Sequence, residues 1–227
     1  MSVFKLIAGI IFNLAFFGVL LFLPAGTLDW RRAWILLAVI LVVSVMSTIS
    51  IARINTGLLE ERFKPPIQKG QPLADKIVLT LLLASFVGLI IFIPLDVFRF
   101  HIMGKPGILI SSLGLLLFIA GWWVMTLALM ENAFAAPVVK YQQERHQTVI
   151  DTGVYSIVRH PMYAGTIPWM IGMAMWLQSY AAALLVVIPT LLLAVRILIE
   201  EEFLKQELKG YDIYMKKVRY RLIPFLW

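Results

Sequence analysis

Four long apolar runs constrain this chain more than any other feature of it. Leu6 to Leu23, Ala33 to Ala52, Ile77 to Leu95 and Gly107 to Met130 carry no acidic or basic residue, and Asn13 is the one strongly polar residue of the first run. At about 1.5 Å of rise per residue, a run of about 18 or more residues crosses the roughly 30 Å hydrocarbon layer of a bilayer as a helix. In lipid the backbone has no water to bond to, so a helix, which satisfies its own N–H and C=O groups, is the expected form. Composition agrees: 61% of residues are hydrophobic, 15% are charged and the mean hydropathy is +0.88, against roughly 45–50% apolar and about 25% charged for soluble domains.

The first run follows a single Lys5 and is longer than the apolar core of a secretion signal. No small-x-small cleavage pattern follows it, so it reads as a first span. Between the second and third runs, Leu58, Leu59 and Phe63 recur at helical spacing among Glu60, Glu61, Arg62 and Lys64, and Pro65-Pro66 then stops the pattern. This predicts an interfacial helix, with a solvated loop as the alternative.

After Met130 the character changes. Residues 131 to 160 hold charges, amides, Gly153 and two histidines. Pro161 to Leu177 and Ala181 to Ile199 are then apolar apart from Arg196, with Gln178-Ser179-Tyr180 as a polar break and Pro168 and Pro189 inside them. Two short, proline-bearing runs predict a helical hairpin. The expected fold is therefore all-α, a polytopic bundle of five or six transmembrane helices whose last two form a hairpin. One membrane domain spans 1–227, with four spans in 1–130 and the chemistry-bearing region in 131–227.

Basic residues set the expected orientation. With six crossings, one side receives Lys5, the five of 53–76, Lys140, Arg145, Arg159, and the seven from Arg196 to Arg221. The other side receives only Arg31, Arg32, Arg99 and Lys105, which completes the 20 Lys and Arg. The positive-inside rule puts both termini and the 131–160 segment in the cytoplasm. The net charge of +7 thus reflects contact with anionic lipid heads, since the basic residues flank apolar spans and form no patch suited to nucleic acid. With no cysteine, disulfides, thiolate metal sites and a cysteine nucleophile are excluded. His101, His146 and His160 are too scattered for a metal site.

Two polar segments are brought together by the hairpin. The first ends GVYSIVRHPMYAG, with Arg159-His160-Pro161 at the mouth of a span; the second begins RILIEEEFLKQELKGYDIYMKK. Taken alone, the triplet fits an interfacial helix end with proline at the first helical position. Tyr155 and Tyr163 beside it fit either an aromatic belt or a surface for a cationic sulfonium. Arg196 and Glu200, four apart, can pair on one helical face, and Glu201 adds a carboxylate.

Together the segments resemble the isoprenylcysteine carboxyl methyltransferase family, itself similar to the phospholipid N-methyltransferases. The resemblance rests on Gly153, Tyr155, Arg159, His160, Pro161, Tyr163, Gly165, Arg196, Glu200, Glu201, Leu204, Gly210, Tyr211 and Tyr214 in order, with His146 and Val149 as the lead-in. It covers about residues 130 to 227. It implies a cytoplasm-facing pocket for S-adenosylmethionine, formed by His146, Val149, Gly153, Tyr155, Arg159, His160, Pro161, Tyr163, Glu200 and Glu201. His146, Tyr155, His160, Tyr163 and Glu200 would hold the cofactor. Arg196 would orient a substrate carboxylate or brace Glu200, and His160 or a glutamate would serve as base for an amine acceptor. The acceptor would be a lipophilic or prenylated molecule entering sideways from the membrane. The carboxylate of an isoprenylcysteine is the leading expectation and a phospholipid amine the second. Val218 to Pro224 also resembles the ending of membrane sterol reductases, which use a reduced nicotinamide cofactor, and that reading stays open, as does a non-enzymatic membrane role.

Overall fold

The structure, a computed structural model, describes residues 3–54, 56–62, 64–68 and 70–227. Among them every regular element is helical. Helices α1 (Val3–Ala25), α2 (Arg31–Ile54), α4 (Leu73–Leu95) and α5 (Ile108–Glu131) realise the four apolar runs. Each extends the expected span by a residue or more at one or both ends. Pro24 stays inside α1, whose end comes at Ala25, before Gly26 at φ 70°. Between α2 and α4, α3 (Thr56–Arg62) is a single short helix. Leu58 and Leu59 are buried against Ile51, Leu129, Met130 and Ala135, so α3 docks on the protein as a strap. Phe63, counted above on its apolar face, lies outside the described residues.

The hairpin is present. Helix α6 (Pro161–Trp176) has proline in its first turn and ends before Gln178, which adopts φ 70°. Ser179 caps α7 (Tyr180–Leu185) by accepting from Ala182 N–H, and α8 (Val187–Glu207) follows almost without a break. A short α9 (Tyr211–Lys217) and an irregular tail complete the described chain. Among the described residues, five helices are long and apolar enough to cross a membrane: Phe4–Ala25, Arg31–Ile54, Leu73–Phe100, Ile108–Glu131 and Tyr180–Glu207. At 16 residues, α6 reaches about 24 Å and falls short of a full crossing.

Helix α6 is held by α5. Gly114 and Gly121 on α5 face Gly172 and Gly165 on α6, and a Cβ on any of the four would come within 2.3 to 2.7 Å of an atom of the opposite helix. Small residues that let two backbones meet are the usual glue between membrane helices. Large apolar side chains such as Phe12, Leu23, Leu109, Leu116 and Leu191 point outward, the arrangement expected where lipid is the solvent.

Polar contacts fix the two ends of the bundle. At one end Arg32 donates to Trp176 O (2.9 Å), Trp176 Nε1 donates to Arg32 O (2.9 Å), and Ser179 donates to Asp96 (2.6 Å). At the other, Lys140 reaches Glu61 (2.9 Å), Arg62 reaches Ala135 O (3.2 Å), and Arg196 reaches Asp75 (3.0 Å). The strap, the 131–160 segment and the C-terminal region therefore share the second end.

Candidate active site

The chemistry-bearing residues meet where α6 begins. His160 precedes Pro161, and its backbone N–H donates to Arg221 O (2.9 Å), while that of Arg159 donates to Tyr220 O (2.9 Å). The C-terminal tail is thereby tied across the mouth of α6. The Arg159 side chain reinforces this by donating to Val218 O (2.7 Å), Arg219 O (2.8 Å) and Glu201 Oε1 (2.6 Å).

Glu200 and Glu201, adjacent on α8, face different surroundings. Glu201 is buried and serves three cationic or potentially cationic groups: Arg159, Arg221 (2.9 Å) and His160 Nε2 (3.2 Å). Because a carboxylate only accepts, Nε2 carries the imidazole hydrogen. His160 Nδ1 then faces Glu200 Oε2 at 3.9 Å. The His160 ring stacks on Tyr163, with centroids 5.5 Å apart and planes 3° from parallel. Tyr163 O–H donates to Glu200 Oε2 (2.7 Å). The other Glu200 oxygen accepts no hydrogen bond from the described residues.

These groups line a cavity with about 800 Å³ of empty space, part of it open to solvent. Its wall includes Asn132, Val138, Lys140, Gln147, Val149, Tyr155, Arg159, His160, Met162, Tyr163, Glu200, Leu204, Tyr211 and Tyr214. Burial raises the hydroxyl pKa values of Tyr155, Tyr211 and Tyr214, so these phenols stay neutral donors. Tyr214 uses its own on Tyr155 O (2.8 Å).

Of the residues expected at the site, Val149, Tyr155, Arg159, His160, Tyr163 and Glu200 stand on this wall. Gly153 opens a tight turn at φ 52°, with the Glu131 carboxylate against the face where a Cβ would project. Pro161 starts α6. Glu201 supports the wall from behind it. His146 is exposed and off the wall. Its backbone, at φ 50°, closes a helical turn with a bond from its N–H to Gln143 O (3.0 Å), and the chain returns to the cavity wall only at Gln147.

Arg196 corrects a sequence expectation. It does not form an ion pair with Glu200. Its Nε donates to Asp75 (3.0 Å), its Nη2 to Pro137 O (2.8 Å), and its guanidinium lies 5.7 Å from the centre of the Tyr163 ring. Asp75, fully buried, also accepts from Gln71 Nε2 (2.7 Å) and Val139 N–H (3.0 Å). This carboxylate at the start of α4 escaped the sequence reading because it sits outside both motifs. The one available signal was an acid in the first turn of a span.

A second cavity adjoins the first. It has an empty volume of about 1,910 Å³ among α1, α2, α4, α5 and α6, and its wall is mostly apolar, with Phe16, Phe86, Ile90, Leu129 and Trp169 among its residues. Met162 belongs to both walls, and Arg62 lines the apolar one. Two buried polar atoms without a hydrogen-bond partner among the described residues, Asn13 Oδ1 and Trp169 Nε1, belong to residues of this wall.

The donor set of the first cavity suits a molecule with a positive centre and several polar groups. It offers a carboxylate oxygen for an ammonium or hydroxyl, aromatic faces for a cation, and amides for a heteroaromatic ring.

Comparison with known proteins gives the same direction. Residues 109–209, from α5 through α8, match the family model described as phospholipid methyltransferase. The chain is 30% identical over 140 residues to protein-S-isoprenylcysteine O-methyltransferase B of Arabidopsis thaliana, covering 59% of this chain and 71% of that protein. It is also 30% identical over 148 residues to protein-S-isoprenylcysteine O-methyltransferase of Saccharomyces cerevisiae, covering 64% of this chain and 60% of that protein.

Proposed function

Starting from a chain that belongs to the isoprenylcysteine O-methyltransferase family, and so is a membrane methyltransferase, we propose that it methylates the carboxylate of an isoprenylated cysteine or a close lipophilic relative, with S-adenosylmethionine as donor. The observation that carries this reading is the junction of two unlike cavities at Met162: a polar, aromatic one presenting Glu200, and an apolar one at membrane depth.

S-Adenosylmethionine, when bound, supplies a methyl group on a sulfonium whose departure as a neutral thioether makes transfer an in-line displacement. The protein then has to hold and orient two reactants and exclude water. Glu200, with one oxygen fixed by Tyr163 and the other free, is suited to an ammonium or ribose hydroxyl. Tyr155, Tyr163 and His160 give ring faces to the positive centre. The apolar cavity takes the hydrocarbon tail, which enters between helices because leaving the bilayer is costly.

A carboxylate acceptor attacks without losing a proton, whereas an amine acceptor needs a base. Both Glu201 oxygens are bonded to cationic or imidazole groups, and the His160 Nε2 hydrogen is spent on Glu201. With only His160 Nδ1 and Glu200 left to take a proton, the site favours the carboxylate. The excess of Lys and Arg at the end holding the site supports a cytoplasmic face for it.

The test is calorimetric titration of the detergent-purified chain with S-adenosylhomocysteine, with a reduced nicotinamide cofactor as control, followed by methylation of N-acetyl-S-farnesylcysteine. Saturable binding of the former alone and transfer to the carboxylate are the expected results. Binding of the nicotinamide alone would favour a reductase, and transfer only to phosphatidylethanolamine would favour an amine acceptor.

A further inference from the structure

A substrate carboxylate at the junction of the two cavities needs a cation there, and most nearby cations are already committed. Arg196 is bonded to Asp75 and Pro137 O and lines neither cavity. Arg159 is consumed by Glu201, Val218 O and Arg219 O. Lys140 is on the polar wall, but its ammonium binds Glu61 (2.9 Å) and Gln68 Oε1 (3.1 Å).

Arg62, the last residue of α3, is different. Its guanidinium lies on the apolar wall. Its bonds run from Nη1 to Ala135 O (3.2 Å) and to the Met162 sulfur (3.8 Å), and both of those residues line the polar cavity. It forms no ion pair with a carboxylate among the described residues. A guanidinium has five N–H donors, and here only one nitrogen is used, on two neutral acceptors. Arg62 is exposed, so its remaining N–H donors are open to an arriving ligand. An anion there would gain a forked, charge-assisted contact.

We propose that Arg62 binds the carboxylate of the methyl acceptor, holding it at the junction while the tail occupies the apolar cavity. This rests on the acceptor reading above and assigns its anion-binding group to the strap, outside the region matched by the family model. Ion pairing of the neighbouring Glu61 with Lys140 keeps the strap docked, so Arg62 acts from a fixed position.

The experiment compares N-acetyl-S-farnesylcysteine with its carboxamide as a competitive ligand. The unsubstituted chain should bind the acid at least about tenfold more tightly than the amide, the size of one charged hydrogen bond. Arg62→Gln should erase that preference and raise KM for the acid about tenfold or more, with affinity for S-adenosylhomocysteine and thermal unfolding unchanged. Arg62→Lys should recover part of the preference. An Arg62→Gln protein that binds S-adenosylhomocysteine normally and still prefers the acid overturns the proposal. So does one that keeps the acid preference but loses inhibition by a phosphodiester lipid, which would make the phosphate of a headgroup the anion. A wild-type chain that binds S-adenosylhomocysteine but does not methylate the farnesylcysteine overturns the acceptor reading itself, before any substitution is made.

Discussion

Adjacent glutamates on one helix point about 100° apart, and on α8 that turn gives Glu200 and Glu201 different surroundings. Glu200 reaches the cavity with an oxygen to spare, whereas Glu201 is buried among Arg159, Arg221 and His160. Substitution should therefore have opposite signatures. Glu200→Ala is expected to abolish S-adenosylhomocysteine binding while the melting temperature in detergent stays near that of the wild type. Normal binding by this variant would remove Glu200 from the site. Glu201→Ala strands buried cations and should destabilise the protein by about 3–5 kcal/mol, read as a large fall in melting temperature. The same reasoning applies to Asp75→Ala, which leaves the Arg196 guanidinium without its carboxylate and should also cost about 3–5 kcal/mol. A stability loss without a change in donor affinity, once stabilising lipid is added, would identify the Arg196–Asp75 pair as purely structural.

Between elements, the deciding contact is the one between α5 and α6. Gly172 faces the backbone of Phe118 and Gly114 so closely that even a methyl group would lie 2.3 Å from Phe118 N. Gly172→Ala should push the helices apart and cost at least about 1–3 kcal/mol. Gly88→Ala, on α4 with nothing within 4 Å of the added carbon, serves as the neutral control. Equal melting temperatures for the two variants would contradict the close approach. Because His160 and Tyr163 lie on the first turn of α6, the same displacement should weaken donor binding as well.

At the scale of the molecule, the bundle separates a polar cavity from a hydrocarbon-like one and lets them meet at Met162. Narrowing the apolar space should therefore discriminate among acceptors by tail length. Ser44→Phe, on the wall of that cavity, is expected to raise KM for a geranylgeranyl acceptor more than for a geranyl one and leave donor affinity unchanged. A uniform effect on both would argue that the tail lies elsewhere. The absence of native cysteine makes orientation easy to read: single cysteines at Lys64 and Lys105 should react with an impermeant reagent from opposite sides of the membrane, the first from the cytoplasm.

The spans, the hairpin and the clustering of polar segments at one end were legible in the sequence because they depend on local quantities. Run length sets whether a helix can cross, proline and Gly set where it turns, and the bias of Lys and Arg sets which ends go together. Some residues of the cavity wall were also readable, since Tyr155, His160, Tyr163 and Glu200 form an ordered pattern along the chain, whereas Lys140, Gln147 and Met162 lie outside that pattern. Partner choice was not. Arg196 and Glu200 satisfy the spacing of a helical pair, yet Arg196 turns to Asp75, which is 121 residues distant in sequence, because packing α8 on α4 buries both charges together. His146 follows the motif but faces solvent, since a left-handed backbone turn diverts it. The glycines of α5 and α6 reveal their purpose only once the helices touch, and Arg62 lines the apolar cavity only because the strap packs on the end of α5. The chain's pattern determined a membrane bundle and which polar segments gather at one end of it; the tertiary packing alone decided which charges are neutralised inside it and which are left without a carboxylate partner.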